Sequence, residues 1–429
     1  MSLKTSPQLR RELGVVGATV MGLGSIVGTG VFVSIGIAAG VAGSAVILAV
    51  VIGALVATCN GLNSAQLAAN HPVSGGSYEY GYKYLNSWLG FTAGWMFLLA
   101  KSASAATAAL GFAGYFLNAT GLTGRGLLIP LALAAVFVIT AVVLNGIRRS
   151  NRVNIVIVSV SIFSLVFFIL GGIPTAITAG KENLTSLFNS SPATVLQASA
   201  LMFVAYTGYG RIATLGEEAK EPRKTIPKAI IVTMIVTMLI YVGVATIAVA
   251  GVGAEKLGES ALRGQAAPLE VAVRSFGIPG GAQILAVGAI FAMLGVLLNL
   301  ILGLSRVLLA MGRRRDMPSI FARLNQSGTT PTPAVIAVSA IISVLVLIGN
   351  VKTTWSFSAF TVLIYYSITN LAAFSLPSEG RLYPKWLSIL GLLACVFLAF
   401  WVETFIWQVG LALIVAGLIW HAVARYAKN

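Results

Sequence analysis

GSIVGTG, residues 24–30, interrupts the first apolar segment of the chain and decides its fold. Inside a membrane, non-helical backbone is tolerated only where protein buries it or where it lines a water-filled cavity. The glycine spacing does not match G-x-G-x-x-G and no Gly-Lys-Ser follows, so this is not a dinucleotide or phosphate loop. Taken alone, the stretch fits either a packing face through Gly24 and Gly28 or an unwound segment that lines a polar cavity.

The composition identifies an integral membrane protein with many spans. Of the 429 residues, 57% are hydrophobic and 9% are charged, whereas soluble domains carry roughly 25% charged residues. The net charge of +16 is explained by basic residues that hold cytoplasmic loops in place, so we expect no nucleic-acid partner. Cys59 and Cys395 lie in apolar segments without metal-ligand spacing, so neither a metal nor another cofactor is expected.

Twelve apolar segments are long enough to be membrane spans of about 20 residues. Most of the 28 basic residues fall in the loops that share the side of the N-terminus, which predicts cytoplasmic termini and a location in the cell membrane. The predicted spans cover residues 13–40, 43–67, 87–116, 126–146, 153–172, 194–214, 226–251, 278–311, 333–350, 353–377, 383–402 and 405–425.

The 12 acidic residues all fall in loops or at the edges of these segments. A proton relay through carboxylates inside the membrane is therefore not expected, and neither is a hydrolase with paired carboxylates. No span carries a cluster of His, Asp and Glu that could do catalytic chemistry, so the chain is not expected to be an enzyme.

A second interruption occurs in the sixth segment, which reads MFVAYTGYGR over residues 202–211. The two interrupted segments hold corresponding places if segments one to five and six to ten are two copies of one unit. Paired, interrupted first helices of an inverted repeat indicate a transporter binding site. We therefore predict an all-α membrane fold with both first helices unwound at mid-membrane. Its parts are a cytoplasmic N-terminus, two repeats and two final spans, at residues 1–12, 13–172, 194–377 and 383–425.

Unwinding predicts a binding site made of backbone. Free N–H groups at the start of a half-helix carry partial positive charge and suit a carboxylate, whereas free C=O groups suit an ammonium. We expect Gly28, Thr29 and Gly30 to bind the carboxylate of an α-amino acid. The expected acceptors for its ammonium are the C=O groups of Ser25, Ile26, Val204 and Thr207. The neighbouring residues that complete the predicted pocket are Val27, Phe203, Ala205 and Tyr206.

These motifs resemble those of amino-acid permeases in the amino acid–polyamine–organocation superfamily. The first break resembles the first-helix signature, and FVAYTGYG with the following GEEAKEPRKTIPKAI, residues 216–230, resembles the sixth helix and the next loop. PVSGGSYEYGYKYL, residues 72–85, and SRVLLAMGRRRDMP, residues 305–318, resemble a cytoplasmic loop and the end of the eighth helix. The resemblance covers nearly the whole chain and implies a LeuT-type fold with twelve transmembrane helices, a substrate held by backbone in spans one and six, and alternating access.

Two positions depart from the pattern of that superfamily. Many of its members carry a bulky aromatic gate at the position of Val204, whereas here the aromatics are offset to Phe203 and Tyr206. Several members also carry a span-five lysine that stands in for a sodium ion, and the matching region here has Ser159 and Ser161 instead. Ser161 is therefore a candidate coupling residue in place of that lysine.

Lys101 lies near the middle of the third predicted span. A lysine at that depth costs about 2.5–3.5 kcal/mol, so it either has a function or caps stray carbonyls of a broken helix. The resemblance implies that Lys101 lines the pocket, and Lys101 is also a candidate coupling residue that changes its protonation during transport. Asn299, a lone polar side chain in span eight, either contacts substrate or bonds to another helix. Arg211 is expected to pair with Glu217 or Glu218.

The sequence predicts a secondary transporter of small, neutral L-amino acids that works by exchange or by proton-linked symport. Small residues around Lys101 favour a short side chain, and its charge argues against cationic substrates but leaves acidic ones open. The alternatives are a transporter of another amine or organic solute and a membrane sensor that binds amino acids. The expected partners are the substrate and the lipid bilayer, and no feature of the sequence indicates a partner subunit.

Overall fold

The chain folds into a bundle of α-helices. The computed structural model describes residues 13–73, 75–122, 126–145, 151–185, 187–213, 219–262, 267–326 and 328–426. The predicted N-terminal region 1–12 and the acids predicted to pair with Arg211, Glu217 and Glu218, lie outside these ranges. The helices of the described residues are α1 Val15–Ile26, α2 Thr29–Phe32, α3 Ser34–Ala42, α4 Val46–Asn70, α5 Ser77–Tyr84, α6 Ser87–Thr120, α7 Leu128–Leu144, α8 Asn151–Asn183, α9 Pro192–Tyr206, α10 Gly210–Ala213, α11 Pro222–Val252, α12 Ala254–Leu262, α13 Pro268–Ser275, α14 Gly281–Arg313, α15 Thr332–Leu347, α16 Val351–Phe374, α17 Lys385–Ala399 and α18 Thr404–Tyr426.

The prediction of a multi-span membrane protein is confirmed, because seven helical stretches of the described residues are long and apolar enough to cross a membrane. They are Thr29–Asn70, Ser87–Thr120, Asn154–Asn183, Pro222–Val252, Gly281–Arg313, Val351–Phe374 and Thr404–Tyr426. The first of them contains the turn at Gly43, whose φ of +62° suits glycine, so it holds two successive segments. Each of the twelve segments predicted from the sequence overlaps one or more of the helices α1–α18.

The helix is irregular at both predicted interruptions, but only the first is unwound; the second is a tightened turn in a segment that stays helical. The first apolar segment stops being helical after Ile26, and Val27 and Gly28 are non-helical before α2 begins at Thr29. The sixth segment is helical to Tyr206, tightens into a 3₁₀ turn over Thr207–Tyr209 and continues as α10. The hydrogen bonds of a 3₁₀ turn have poorer geometry than those of an α-helix. Such a turn in the middle of a helix often marks a functional hinge or a strained sequence.

Helix α6 runs through the middle of the bundle, where it packs against α14 and α16. Its central part, from Ala100 to Ala109, contains only Ala, Ser and Thr besides Lys101, and every one of these residues is buried. Such small side chains let helices approach closely, which is how tight helix packing is achieved inside a membrane. Lys101 is therefore surrounded by protein and not by lipid.

The α12 end of the bundle is closed by direct contact between backbones. A Cβ on Gly40 of α3 would lie 3.1 Å from the Cα of Gly258 in α12. The side chain of Pro268 in α13 packs against Gly36 of α3. Glu270 of α13 is buried and pairs with Arg274 at 2.6 Å, and burial raises the pKa of its carboxyl group. Helix α3 is thus held beneath α12 and α13.

The opposite, α5 end is tied together by Asp316, which follows α14. Its carboxylate accepts hydrogen bonds from the hydroxyls of Tyr78 (2.8 Å) and Tyr82 (2.5 Å) of α5, and its C=O accepts one from Trp420 of α18 (2.9 Å). Burial and the nearby Asp316 raise the pKa of both tyrosines well above the usual range, so both phenols stay protonated as donors. Arg314 adds a salt bridge to Glu79 of α5 at 2.7 Å.

Helix α17 is joined to α4 and α16 by buried amides. Asn63 of α4 donates to Asn370 of α16 (2.8 Å) and accepts from Gln66 (3.0 Å) and from Ser388 of α17 (2.8 Å). Asn370 in turn donates to Asn60 at 2.7 Å. We call Asn60, Asn63, Gln66, Asn370 and Ser388 the amide cluster. Each amide depends on its neighbours, since an unpaired buried donor or acceptor costs about 1–3 kcal/mol.

Asn63→Leu is expected to lower the free energy of unfolding by about 1–3 kcal/mol, because a side chain of similar shape removes the bonds that Asn63 makes to Oδ1 of Asn370, Nε2 of Gln66 and the hydroxyl of Ser388. Thermal unfolding of the detergent-solubilised protein measures this, with the exposed Gln283→Leu as the matched control. A melting temperature for Asn63→Leu equal to that of the control would contradict the assignment of the cluster as a stabilising link.

Candidate substrate site

The two interruptions pack directly against each other. A Cβ on Gly208 would lie 2.3 Å from the C=O oxygen of Ser25, and a Cβ on Gly30 would lie 2.7 Å from the Cβ of Ala205. No real Cβ approaches so closely, so both positions require glycine. The two broken helices therefore meet backbone to backbone at the centre of the bundle.

Both interpretations that the sequence left open for residues 24–30 apply. Gly24 and Gly28 are close-packing positions, because a Cβ on Gly24 would lie 2.6 Å from Asn154 Oδ1 and one on Gly28 would lie 2.6 Å from Val296 Cγ2. Val27 and Gly28 are also non-helical, and the residues on either side of them, Ser25 and Ile26 before and Thr29 and Gly30 after, line a cavity. The segment therefore packs closely against α8 and α14 on one side and borders the cavity on the other.

A cavity of about 180 Å³ begins at these breaks. It extends toward the α5 end of the bundle, where Gly76, Tyr80 and Arg306 line it. Nine of the residues predicted from the sequence line this cavity: Ser25, Ile26, Thr29, Gly30, Lys101, Val204, Ala205, Thr207 and Asn299. Residues from four of the spans predicted from the sequence, the first, third, sixth and eighth, thus meet at one cavity.

Four of the predicted residues are not among those that line the cavity: Val27, Gly28, Phe203 and Tyr206. Tyr206 packs on Tyr241 and donates to the C=O of Val50 at 3.2 Å, and the Phe203 ring meets the edge of Tyr366. Phe203 and Tyr206 lie three residues apart in α9 and therefore share a face of that helix, which is turned away from the cavity. The aromatic rings of this segment support the packing around the site.

Donors are available at the first break. Among the described residues, the N–H groups of Gly28, Thr29 and Gly30 donate no hydrogen bond to any acceptor. The hydroxyl of Thr29 is also buried without a partner in the part of the chain that the structure describes. Unpaired donors at the start of a helical segment favour an anion, and α2 continues into α3 after the single residue Val33.

Acceptors lie on the other side of the same break. The C=O of Ser25 accepts no hydrogen bond from the described residues. The C=O of Ile26 accepts from the hydroxyl of Tyr241 at 2.8 Å, and that of Val204 accepts from the hydroxyl of Thr207 at 2.8 Å. Since a carbonyl oxygen has two lone pairs, the C=O of Ile26 keeps capacity for a second donor. The C=O of Val204 also accepts from the N–H of Thr207, so both of its lone pairs are used.

Lys101 is joined to the second break. Its Nζ donates to the hydroxyl of Thr207 at 3.0 Å, and that hydroxyl donates onward to the C=O of Val204. Lys101 caps a side-chain oxygen of the 3₁₀ turn and not one of its carbonyls. It is only 8% exposed, and the surface it keeps borders the cavity.

Asn299 and Ser161 hold helices together. Asn299 borders the cavity, and its amide approaches the C=O of Gly24 at 3.5 Å. Ser161 of α8 is buried and donates to the C=O groups of Ile157 (2.8 Å) and of Gly288 in α14 (3.3 Å). Ser161 is not among the residues that line the cavity.

Sequence reasoning did not assign several residues of the cavity wall to the site. They come from four helices far apart in sequence and include Ser64, Ser77, Tyr80, Phe97, Ser104, Trp355, Tyr365 and Tyr366. Ser104 of α6 and Ser358 of α16 share a hydrogen bond of 2.7 Å. These residues could have been predicted in part from polar side chains at helical spacing inside apolar segments, because such a pattern indicates a helix face turned away from lipid.

The charges at the cavity wall have one sign. Among the described residues that line it, the ionic side chains are Lys101, Arg211 and Arg306, and none is acidic. The described residues also contain no group of His, Cys, Asp and Glu that could hold a metal. At Lys101, the described part of the wall favours anions over cations.

Comparison with known proteins decides the family. The family profile described as amino acid permease matches residues 17–428. The chain belongs to the amino acid permease family. It is accordingly a membrane transporter of the amino acid–polyamine–organocation superfamily and not an enzyme.

Several relatives of this permease share most of its length. An uncharacterized transporter of Mycobacterium tuberculosis is 36% identical over 418 residues, which is 97% of this chain and 92% of the relative. A branched-chain amino acid permease of Bacillus subtilis is 30% identical over 342 residues, covering 75% of this chain and 71% of the relative. A methylthioribose transporter of the same bacterium is 30% identical over 344 residues, covering 76% and 72%.

Gly208→Ala is expected to destabilise the permease by about 1–3 kcal/mol, because its Cβ would push the two breaks apart. Gly303 is the matched control: it lines the same cavity inside α14, but a Cβ there meets nothing within 4 Å. Gly303→Ala is expected to keep or raise stability, since alanine favours a helix by roughly 0.5–1 kcal/mol. Thermal unfolding in detergent measures both. Equal melting temperatures for the two variants would show that the breaks are not in tight contact.

Proposed function

We propose that this permease is a secondary transporter of small, neutral L-amino acids that works by alternating access. The observation that carries the proposal is a set of N–H groups, those of Gly28, Thr29 and Gly30, that have no acceptor among the described residues and lie beside the C=O of Ser25, which has no donor among them. Donors that suit a carboxylate and an acceptor that suits an ammonium lie within one turn of chain. An α-amino acid carries both groups on a single carbon atom.

The cavity favours a small substrate without positive charge. Its volume of about 180 Å³ leaves room for the amino-acid backbone and a short side chain. A cationic side chain would face the ammonium of Lys101 at the break, and the described residues of the wall include no acid. Acidic amino acids are the alternative that the same charge leaves open.

The relatives do not determine this substrate. Those compared above are named for branched-chain amino acids and for methylthioribose, and more distant plant relatives are named cationic amino acid transporters. A substrate held by its amino-acid backbone accounts for relatives that serve amino acids with different side chains, but not for methylthioribose, which has no such backbone. The helix ends bind what amino acids share, and the remaining wall chooses among side chains.

Alternating access is supported by the difference between the two ends. The cavity continues to α5 and Arg306, whereas α3 lies in direct contact with α12. We propose that the structure represents the inward-facing state, with the α5 end in the cytoplasm as the basic residues predict. We further propose twelve spans and the inverted five-plus-five repeat with the boundaries predicted above, because the two breaks hold corresponding places.

We propose that uptake of the amino acid is coupled either to export of another substrate molecule, which is exchange, or to entry of a proton, which is symport. In symport, the proton carrier would be Lys101, which is the ionic residue of the wall in direct contact with a break. The Ser161 hydroxyl already donates to carbonyls of α8 and α14, which favours Lys101 over Ser161 for this role. Proteoliposomes preloaded with substrate distinguish the two forms of coupling. Exchange requires internal substrate, whereas symport requires a proton gradient.

Uptake of labelled alanine into proteoliposomes is expected to be inhibited by unlabelled alanine and serine and to resist excess arginine. The physical reason is the ammonium of Lys101 at the wall, which raises the energy of a bound arginine. Uptake is measured with and without internal alanine, and empty liposomes are the control. Stronger inhibition by arginine than by alanine would contradict the proposed substrate class. Binding without uptake would indicate the sensor alternative.

A further inference from the structure

Lys101 has unused donors that face the cavity. An ammonium group carries three N–H donors, and in the described part of the chain one of them is used, by the hydroxyl of Thr207. Lys101 is buried on α6 with 8% of its surface exposed, and it borders the cavity. Burial leaves little water to satisfy the other two donors.

Lys101 also has no counter-charge in the described part of the chain. No acid is among the described residues of the cavity wall, and each ion pair of the described residues joins groups other than Lys101. A buried charge without a partner is costly unless another group supplies one. The empty space of the cavity is where such a group would enter.

The hydroxyls near Lys101 do not fill this need. Ser104, one turn further along α6, shares its hydrogen bond with Ser358. Thr107, another turn along, bonds to Thr354 at 2.8 Å. These hydroxyls are satisfied across the contact between α6 and α16, which leaves Lys101 as the donor on this face of α6 that still requires an acceptor.

The position of Lys101 fits the side chain of a bound amino acid. Thr207, which accepts from Lys101, is adjacent to Gly208, whose backbone touches the C=O of Ser25. The ammonium of Lys101 therefore lies one residue from the point where the two breaks meet. An oxygen on the β- or γ-carbon of a substrate bound at the breaks would be within reach.

We propose that Lys101 is the specificity residue of this permease and binds an oxygen atom on the substrate's side chain. Short side chains with a hydroxyl, an amide or a carboxylate share this chemistry. The inference rests on the proposed function, because it requires the amino-acid backbone to lie at the breaks. It refines the substrate class from small amino acids to small amino acids that carry a side-chain oxygen.

Isosteric substrates test this directly. Threonine and valine have the same shape and differ by a hydroxyl in place of a methyl group, and serine and 2-aminobutyrate form a second such pair. One hydrogen bond to a charged donor corresponds to a preference of roughly 10- to 100-fold. We expect threonine and serine to inhibit uptake of labelled alanine at concentrations lower by that factor than valine and 2-aminobutyrate.

The variant Lys101→Met is expected to reduce this preference to less than about threefold while valine still inhibits, since methionine keeps the length and removes the donor. Arg306→Met is the matched control, because Arg306 is a cation of the same wall at the α5 end. It should retain the full preference. If Lys101→Met folds but no longer takes up alanine, ligand-induced thermal shifts of the variant with the same pairs measure its preference. If it does not fold, thermal shifts of the parent protein with the same pairs provide the measurement.

The outcomes separate the two proposals. Equal inhibition by threonine and valine in the parent protein would overturn the role of Lys101 and leave amino-acid transport standing, as would a preference that survives in Lys101→Met. Absence of uptake and of thermal shifts with every amino acid would overturn the proposed function itself. Aspartate, asparagine and serine, compared in the same assay, identify which oxygen Lys101 binds best.

Discussion

The contact between the two broken helices is the constraint on which the rest of the structure depends. The backbone of Gly208 touches the carbonyl of Ser25, and Gly30 touches Ala205, with no side chain between them. Backbone groups that cannot pair within their own helix must find partners in protein or in a cavity. Bringing the two breaks together concentrates unpaired donors and acceptors at one point. The tight packing of α6, α14 and α16 is what shields this point from lipid.

The site combines two kinds of recognition. Backbone groups at the breaks suit the parts that all amino acids share, while side chains on the surrounding helices face whatever differs between substrates. Lys101 connects the two through Thr207, because one hydroxyl both accepts from the lysine and donates to the carbonyl of Val204. A change in the charge or position of Lys101 would therefore reach the backbone of the break through a single side chain.

The sequence was sufficient for features that follow from local pattern. Glycines inside apolar segments predicted both breaks, and a lysine among alanines and serines predicted a helix face turned away from lipid. The lining roles of Val27, Phe203 and Tyr206 could not be resolved from the sequence. Periodicity does not encode the extended conformation of Val27, and the rotation of α9 that turns Phe203 and Tyr206 from the cavity is set by packing against other helices.

The remaining wall depends on tertiary contacts. Tyr80 and Trp355 come from helices whose approach to the breaks is decided by packing across the whole bundle. Part of the amide cluster could be predicted from the sequence, because Asn60, Asn63 and Gln66 recur every three residues along one face of α4. Their partners on α16 and α17 could not be predicted, because hydrogen bonds between amides far apart in sequence leave no local signature.

Asp316 gives the last helix a mechanical connection to the mouth of the cavity. Helix α18 is mostly exposed along its length, yet Trp420 bonds to the same residue that receives Tyr78 and Tyr82 from α5. The loop that leads into α5 forms part of the cavity wall at Gly76. If that loop moves to narrow the mouth, α18 must travel with it or release it. One aspartate therefore couples the position of the C-terminal helix to that of the cavity wall.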